Sequence, residues 1–160
     1  MFGREDVCRY LPWPPMDLDQ VRAKLEQRVG QTHLEGDGDP LILVAEDSDI
    51  GRPVGEFMLR LTSLESRQGE IGWSLQPDAQ GRGLATEGAR EMLRLGFDEL
   101  GLHRIVAECD PRNTASLRVM GRLGMRREAE LVENEYLKGE WVGEIVCAML
   151  ESEWRAQRSG

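Results

Sequence analysis

Gln76-Pro77-Asp78-Ala79-Gln80-Gly81-Arg82-Gly83-Leu84-Ala85-Thr86 is the stretch on which the reading of this chain turns. Before it, Glu70 to Leu75 is an apolar-rich run of strand length. After it, from Gly83 to Leu100, Leu84, Gly88, Met92, Leu95 and Gly96 line one helical face, widened by Leu93, Phe97 and Leu100. The junction predicts a strand, a glycine turn and the mouth of a long helix. The first-turn N–H groups of a helix lack intrahelical partners, and its dipole is positive at that end, so such a mouth suits an anion. Gly81 and Gly83 have no Cβ, which lets the main chain approach phosphate oxygens and take unusual φ values. Arg82 adds a positive charge, and small Ala85 and Thr86 leave the mouth open. A glycine-rich connection without a ligand would use the same residues. No third glycine stands where a dinucleotide fingerprint needs it, and no Gly-Lys-Ser/Thr follows as in a P-loop. The turn indicates an anion, and not which one.

Working outward, Leu11-Pro12-Trp13-Pro14-Pro15 predicts a stiff extended segment, since proline fixes φ and biases its predecessor away from helix. Leu18, Val21, Leu25 and Val29 recur at three- and four-residue steps with charges between them, predicting an amphipathic helix. Leu41 to Ala45, Val54 to Leu64 and Glu70 to Leu75 read as an antiparallel meander. The long helix ends at Gly101 as a C-cap, and Arg104 to Cys109 is the next strand. Asn113 caps a helix carrying Leu117, Met120 and Leu123 and ending at Gly124. Arg126 to Leu137 and Glu140 to Leu150 form a hairpin across Lys138-Gly139. Two strands joined through a crossover helix lie parallel. The expected architecture is α+β: one domain over residues 1–160, with a mixed, mostly antiparallel sheet, a central parallel pair and flanking helices.

Composition narrows the function. Hydrophobic residues make up 40% and charged residues 31% of 160, an ordinary globular balance. A formal charge of −9 argues against non-specific nucleic-acid binding and is compatible with a cationic partner. No run approaches the ~20 apolar residues that a membrane span requires. The N-terminus lacks the pattern of a signal peptide, so a cytoplasmic location is expected. Cys8, Cys109 and Cys147 are widely spaced and form no metal-ligand pattern, so no metal is expected, and Cys109 and Cys147, in apolar runs, read as buried, inert thiols.

At the turn the sequence resembles the Gcn5-related N-acetyltransferase (GNAT) superfamily, whose signature Gln/Arg-x-x-Gly-x-Gly/Ala is matched by Gln80 to Ala85. Gly72-Trp73-Ser74-Leu75, Asn113-Thr114-Ala115-Ser116 and Leu123-Gly124-Met125 follow the family's order. Gly139-Glu140-Trp141 and Glu153-Trp154 resemble the branch that acetylates N-termini of ribosomal proteins. The resemblance covers nearly the whole chain from Asp6 onward. It implies acetyl-coenzyme A as co-substrate in a cleft where the central parallel strands splay apart. Backbone groups of Trp73, Ser74 and Leu75 would bind the pantetheine arm. Gln80, Gly81, Arg82, Gly83, Leu84, Ala85 and Thr86 would hold the pyrophosphate, and Asn113 and Ser116 would meet the pantetheine, although both also suit a helix cap.

Three departures stand out. The family's first strand and much of its first helix precede the segment that Asp6 to Pro15 resembles. The resemblance therefore implies a sheet without its usual edge strand, a gap covered by another chain, or a start that is not the natural one, and a homodimer is expected as one way to cover that edge. Gly143 replaces an aspartate usual in the branch, and Met125 replaces an aromatic.

The expected reaction is direct attack of a primary amine, a peptide N-terminus or a small amine, on the thioester; the same fold holding acyl-coenzyme A as a sensor without turnover is the alternative. The attacking amine must lose a proton. Glu70, at the start of the strand carrying Trp73, is the candidate base. Ser116 is the candidate donor to the leaving thiolate, with Tyr136 as its rival. His33 and His103 are the only histidines, and His103, at the start of a strand distant from the turn in sequence, reads as structural. Acceptor choice is expected to reside in the early helix, the loop from Gly36 to Asp39 and the last hairpin.

Overall fold

The computed structural model describes residues 1–158. Its helices are α1 (Glu5–Cys8), α2 (Leu18–Val29), α3 (Leu84–Arg94), α4 (Thr114–Leu123) and α5 (Glu151–Arg158). Its strands are β1 (Pro40–Asp47), β2 (Arg52–Ser63), β3 (Gln68–Leu75), β4 (Arg104–Cys109), β5 (Arg126–Leu137) and β6 (Glu140–Leu150). They form one six-stranded sheet in the order β1-β2-β3-β4-β6-β5, antiparallel except for β3 against β4. The α+β reading holds, with its single parallel pair at the centre. β1 is an edge, and no strand pairs with its outer side among the described residues.

The turn and cap predictions meet their expected geometry. Lys138 and Gly139 both take positive φ, +49° and +89°, as a two-residue hairpin turn requires. Lys138 also donates from Nζ to the carbonyls of Cys8 (2.7 Å) and Arg9 (2.9 Å), tying the hairpin tip to the end of α1. The Asn113 side chain accepts from the Ser116 N–H at 3.1 Å, and Gly124 closes α4 in the left-handed region. The long helix widens into a π-type turn over Leu95–Glu99 before Gly101. Helices α3 and α4 cover one sheet face. There Leu59, Ile71, Leu93, Ile105, Met120, Ile145 and Met149 are fully buried, so the apolar periodicity of α3 and the inward residues of β2, β3, β4 and β6 meet in one core.

Helix α2 forms as expected, with a capping box between Asp17 and Gln20, but its apolar stripe does not point inward. Leu18, Leu25 and Val29 are exposed, at 74%, 51% and 78%. The face turned to the body is cationic: Lys24 sits 3.5 Å above the Trp13 ring, and Arg28 pairs with Glu56 of β2. Periodicity located the helix and misplaced its buried side. The short α1, between a chain end and a proline-rich segment, carries too few residues to show a period. Helix α5 went unread because its only buried side chain is Trp154, stacked on Phe97 with its indole N–H donating to Asp98 at 2.9 Å.

Candidate active site

Strands β3 and β4 are in register only from Gln68↔Arg104 to Glu70↔Val106. Beyond Glu70 they part, while β3 stays paired to β2 as far as Leu75. The backbone groups of Ile71 to Leu75 on the β4 side are therefore left without a strand partner. A cleft of about 540 Å³ opens at this fork. Its walls include Trp73, Ser74 and Leu75 of β3, Gln80, Gly81, Gly83, Leu84, Ala85 and Thr86 of the turn and α3, and Asn113 and Ser116 at the start of α4. The segments expected to hold a coenzyme thus converge on one cavity.

The turn has the form the glycines suggested. Gly81 and Gly83 take φ of +77° and +86°, and a Cβ at either would meet nothing within 4 Å. Glycine is needed there for the backbone conformation, not to relieve a clash. Among the described residues, the N–H groups of Gly81 through Ala85 donate to no protein acceptor, whereas those of Thr86 and Glu87 already bond the Gly83 carbonyl. The Thr86 hydroxyl is buried in the wall of the cleft without a protein partner. Unpaired amides at a helix N-terminus, converging on a cavity, make a site for an anion. Arg82 departs from this arrangement. It does not line the cleft, and its guanidinium lies 2.6 Å from the Asp47 carboxylate at the end of β1.

A second cavity, about 310 Å³, lies on the other side of Tyr10 and Leu11, which border both. Glu70 of β3, Glu108 of β4 and Glu144 of β6 share the sheet face that lines it, together with Arg60. The Glu70 carboxylate is held by Arg60. Burial raises the Glu108 carboxyl to about 7, reinforced by the neighbouring charges of Glu70 and Glu144, even though its side chain keeps access to solvent through the open cavity. Glu144 also accepts from the Asn134 amide at 2.8 Å. Neither Glu108 nor Glu144 stood out in the sequence, because β4 and β6 bring them together only through strand register. Tyr10, just before the proline-rich segment and not singled out by the sequence, borders both cavities.

Other sequence candidates lie elsewhere. Tyr136 is 60% exposed and packs edge-to-face on Trp141, bordering neither cavity. Helix α2 and the loop Gly36 to Asp39, where acceptor choice was expected in part to reside, also border neither. That loop is bonded to β2 through Gly38 N–H to the Leu61 carbonyl and Leu61 N–H to that of Asp39. The last hairpin does line the acidic cavity. Gly143 stands there because a Cβ would fall 2.7 Å from the Leu131 carbonyl oxygen and 3.2 Å from the Pro111 ring, so the branch's aspartate has no room. Cys109 reaches this cavity too, but burial pushes its thiol up to about 12, which leaves it unreactive.

A forked parallel pair above an amide-lined helix mouth defines a class, and comparison with known proteins gives the same one. The family profile described as "Acetyltransferase (GNAT) domain" matches residues 1–126. N-acetyltransferase YnaD of Bacillus subtilis (strain 168) is 35% identical over 154 residues, covering 93% of this chain and 83% of the relative. The crystal structure of a GNAT-family acetyltransferase from Bacillus anthracis superposes with a TM-score of 0.84 at 31% identity, covering 95% of this chain and 86% of that one. A spermidine N-acetyltransferase from Vibrio cholerae, solved with CoA and spermine, shares the fold with a TM-score of 0.79 at 19% identity, over 96% and 87% of the two chains. The chain belongs to the GNAT acetyltransferase family. It is an acetyl-CoA-dependent N-acetyltransferase.

Proposed function

We propose that this enzyme acetylates a primary amine by direct attack, with acetyl-CoA lying in the fork between β3 and β4 and the amine arriving from the acidic cavity. The observation that carries the reading is the parting of β3 from β4 after Glu70↔Val106, directly beside the unbonded amides of Gly81 to Ala85. The pantetheine arm would run along the free edge of Trp73 to Leu75, and the diphosphate would sit on the glycine turn. Asn113 and Ser116 would lie beside the arm.

The acidic cavity suits an ammonium ion, which must give up a proton before its nitrogen can attack. Glu108 is placed to take that proton, directly or through one water, because its affinity for a proton is tuned close to neutrality. Glu70, the acid expected for this role, lines the same cavity with its carboxylate engaged by Arg60. The amine nitrogen then bonds to the thioester carbon, the C–S bond breaks, and the departing thiolate takes a proton, for which the Ser116 hydroxyl on the cleft wall is the candidate. The free main-chain N–H groups of β3 would polarise the carbonyl oxygen. An ammonium bound among Glu70, Glu108 and Glu144 describes small polyamines and peptide N-termini alike. The resemblance to ribosomal N-terminal acetyltransferases favours the peptide, and the spermine-bound fold neighbour favours the polyamine.

Calorimetry with acetyl-CoA tests the donor site, and thiol release with N-terminal peptides, polyamines and aminoglycosides tests turnover. Binding with turnover on one of these amines is expected. No binding at millimolar acetyl-CoA would sink the reading, and tight binding without turnover on any amine would favour a sensor. Gly83→Asp, which sets a carboxylate against the diphosphate, should weaken acetyl-CoA binding severely in a protein that still folds.

A further inference from the structure

Among the described residues Asp47 is the only charged side chain in the buried set, with 5% of its side chain exposed. It ends β1, at the edge of the sheet, far in sequence from the glycine turn. One carboxylate oxygen accepts from the Asp49 N–H at 3.0 Å and the other meets Arg82 Nη1 at 2.6 Å. The Asp47 carbonyl accepts from the N–H groups of Ile50 and Gly51, so one residue organises the whole β1–β2 turn. The Arg82 guanidinium holds the Asp47 carboxyl below its usual range.

Arg82 sits between two glycines that are both in the left-handed region and both on the cleft wall, while its own side chain leaves the cleft for Asp47. Two glycines in sequence make a soft link, since each has wide conformational freedom. Pinning the residue between them removes that freedom where five amides must point the same way. Recruiting Arg82 to a bound phosphate instead would strip Asp47 of its cationic partner and leave a buried carboxylate uncompensated, which is unfavourable.

We propose that Asp47 is a positioning residue of the coenzyme site: it latches Arg82 outside the cleft and so holds the Gly81 to Gly83 amides aimed inward, leaving a diphosphate to be bound by main chain. This rests on the coenzyme reading of the turn given above.

The test is a double-mutant cycle on acetyl-CoA affinity, read by calorimetry on the full chain with Asp47→Asn, Arg82→Ala and the pair. Asp47→Asn keeps the side-chain oxygen for Asp49, so the β1–β2 turn survives. Each single change should raise Kd about tenfold, and the double change should raise it no further, because both break one latch. Arg82→Lys, which keeps an ion pair with Asp47, should recover most of the affinity. The slope of log Kd against log salt should be the same in Arg82→Ala as in the parent, since no direct phosphate contact is lost. A direct Arg82–phosphate contact predicts the opposite sign at Asp47: freeing the guanidinium would tighten binding, and Arg82→Ala would flatten the salt slope. Either result overturns the latch while leaving the coenzyme site intact, as does a Kd unchanged in Asp47→Asn. No acetyl-CoA binding by the parent overturns both.

Discussion

Glu108 and Glu144 stand on one face of adjacent antiparallel strands, offset by a single pair, since Glu108 registers with Val146 two residues beyond Glu144. The two carboxyls are thus diagonal neighbours on that face, and while burial is what chiefly raises Glu108, the negative charges of Glu70 and Glu144 push it the same way. Like charges crowded beside a partly desolvated carboxyl make its ionisation more costly.

The first prediction concerns that set. Because the raised carboxyl must be ionised to accept a proton, kcat/KM for the amine should climb as pH rises through about 7. Glu108→Gln should lower kcat/KM about a hundredfold or more and abolish this acid limb, with acetyl-CoA affinity unchanged. Glu144→Gln removes one of the charges that raise Glu108, so its limb should move to lower pH; burial, the larger cause, keeps the shift partial. A limb that stays put in both variants would assign the ionisation to another group.

The second prediction tests how tightly the helix bearing the turn is seated. Gly88 is a core-facing residue of α3, and a Cβ there would fall 2.2 Å from Cζ and 2.5 Å from the two Cε atoms of Phe57, a ring only 4% exposed. Alanine gains about 1 kcal/mol over glycine in a helix interior. Overpacking against a rigid aromatic typically costs about 1–3 kcal/mol, so the clash should win and Gly88→Ala should destabilise. Urea unfolding checks the sign. The double change Gly88→Ala with Phe57→Leu should recover part of the loss.

Gly88 also illustrates what the sequence made legible. The strand and helix order, the parallel pair, the Lys138-Gly139 turn and the Asn113 and Gly124 caps all follow from local signals, which are periodicity and residues with special φ/ψ needs. The glycine turn with its free amides was legible for the same reason, being contiguous. Long-range partners were not. Asp47 meets Arg82, and Glu108 meets Glu144, only after the sheet has folded, and no pattern along the chain marks such pairs. Helix α2 shows the complementary failure: its apolar stripe is real, but Lys24 over Trp13 and Arg28 on Glu56 decide which face turns inward.

The third prediction takes up the glycine that replaces an aspartate. In Gly143→Asp the side chain would have to displace the Leu131 carbonyl or the Pro111 ring, at 2.7 and 3.2 Å from the new Cβ. Both belong to backbone-constrained segments that yield little. Thermal unfolding should fall by about 2–4 °C for each kcal/mol lost, and even Gly143→Ala should show a measurable drop. An unchanged midpoint in both would mean that the hairpin shifts freely, and the cavity wall it forms would be softer than drawn.

The last prediction is a pH dependence of stability, with its sign set by Glu128. Arg104 holds this carboxyl down to about 2, assisted by Arg126, against a smaller opposing effect of burial. A carboxyl whose folded value lies below its unfolded one stabilises the fold while ionised. That contribution is fully present above the unfolded value of about 4.5 and disappears as pH falls from there through about 2. Arg104 belongs to β4 and Glu128 to β5, with β6 between them, so the pair braces three neighbouring strands of the sheet. Arg104→Gln removes the largest cause and should shrink the stability difference between pH 6 and pH 3, while Arg126→Gln should shrink it less. Denaturant midpoints measured across that window decide the order. Equal effects from the two arginines would mean that Glu128 is held by the local charge of both and not by the bond to Arg104.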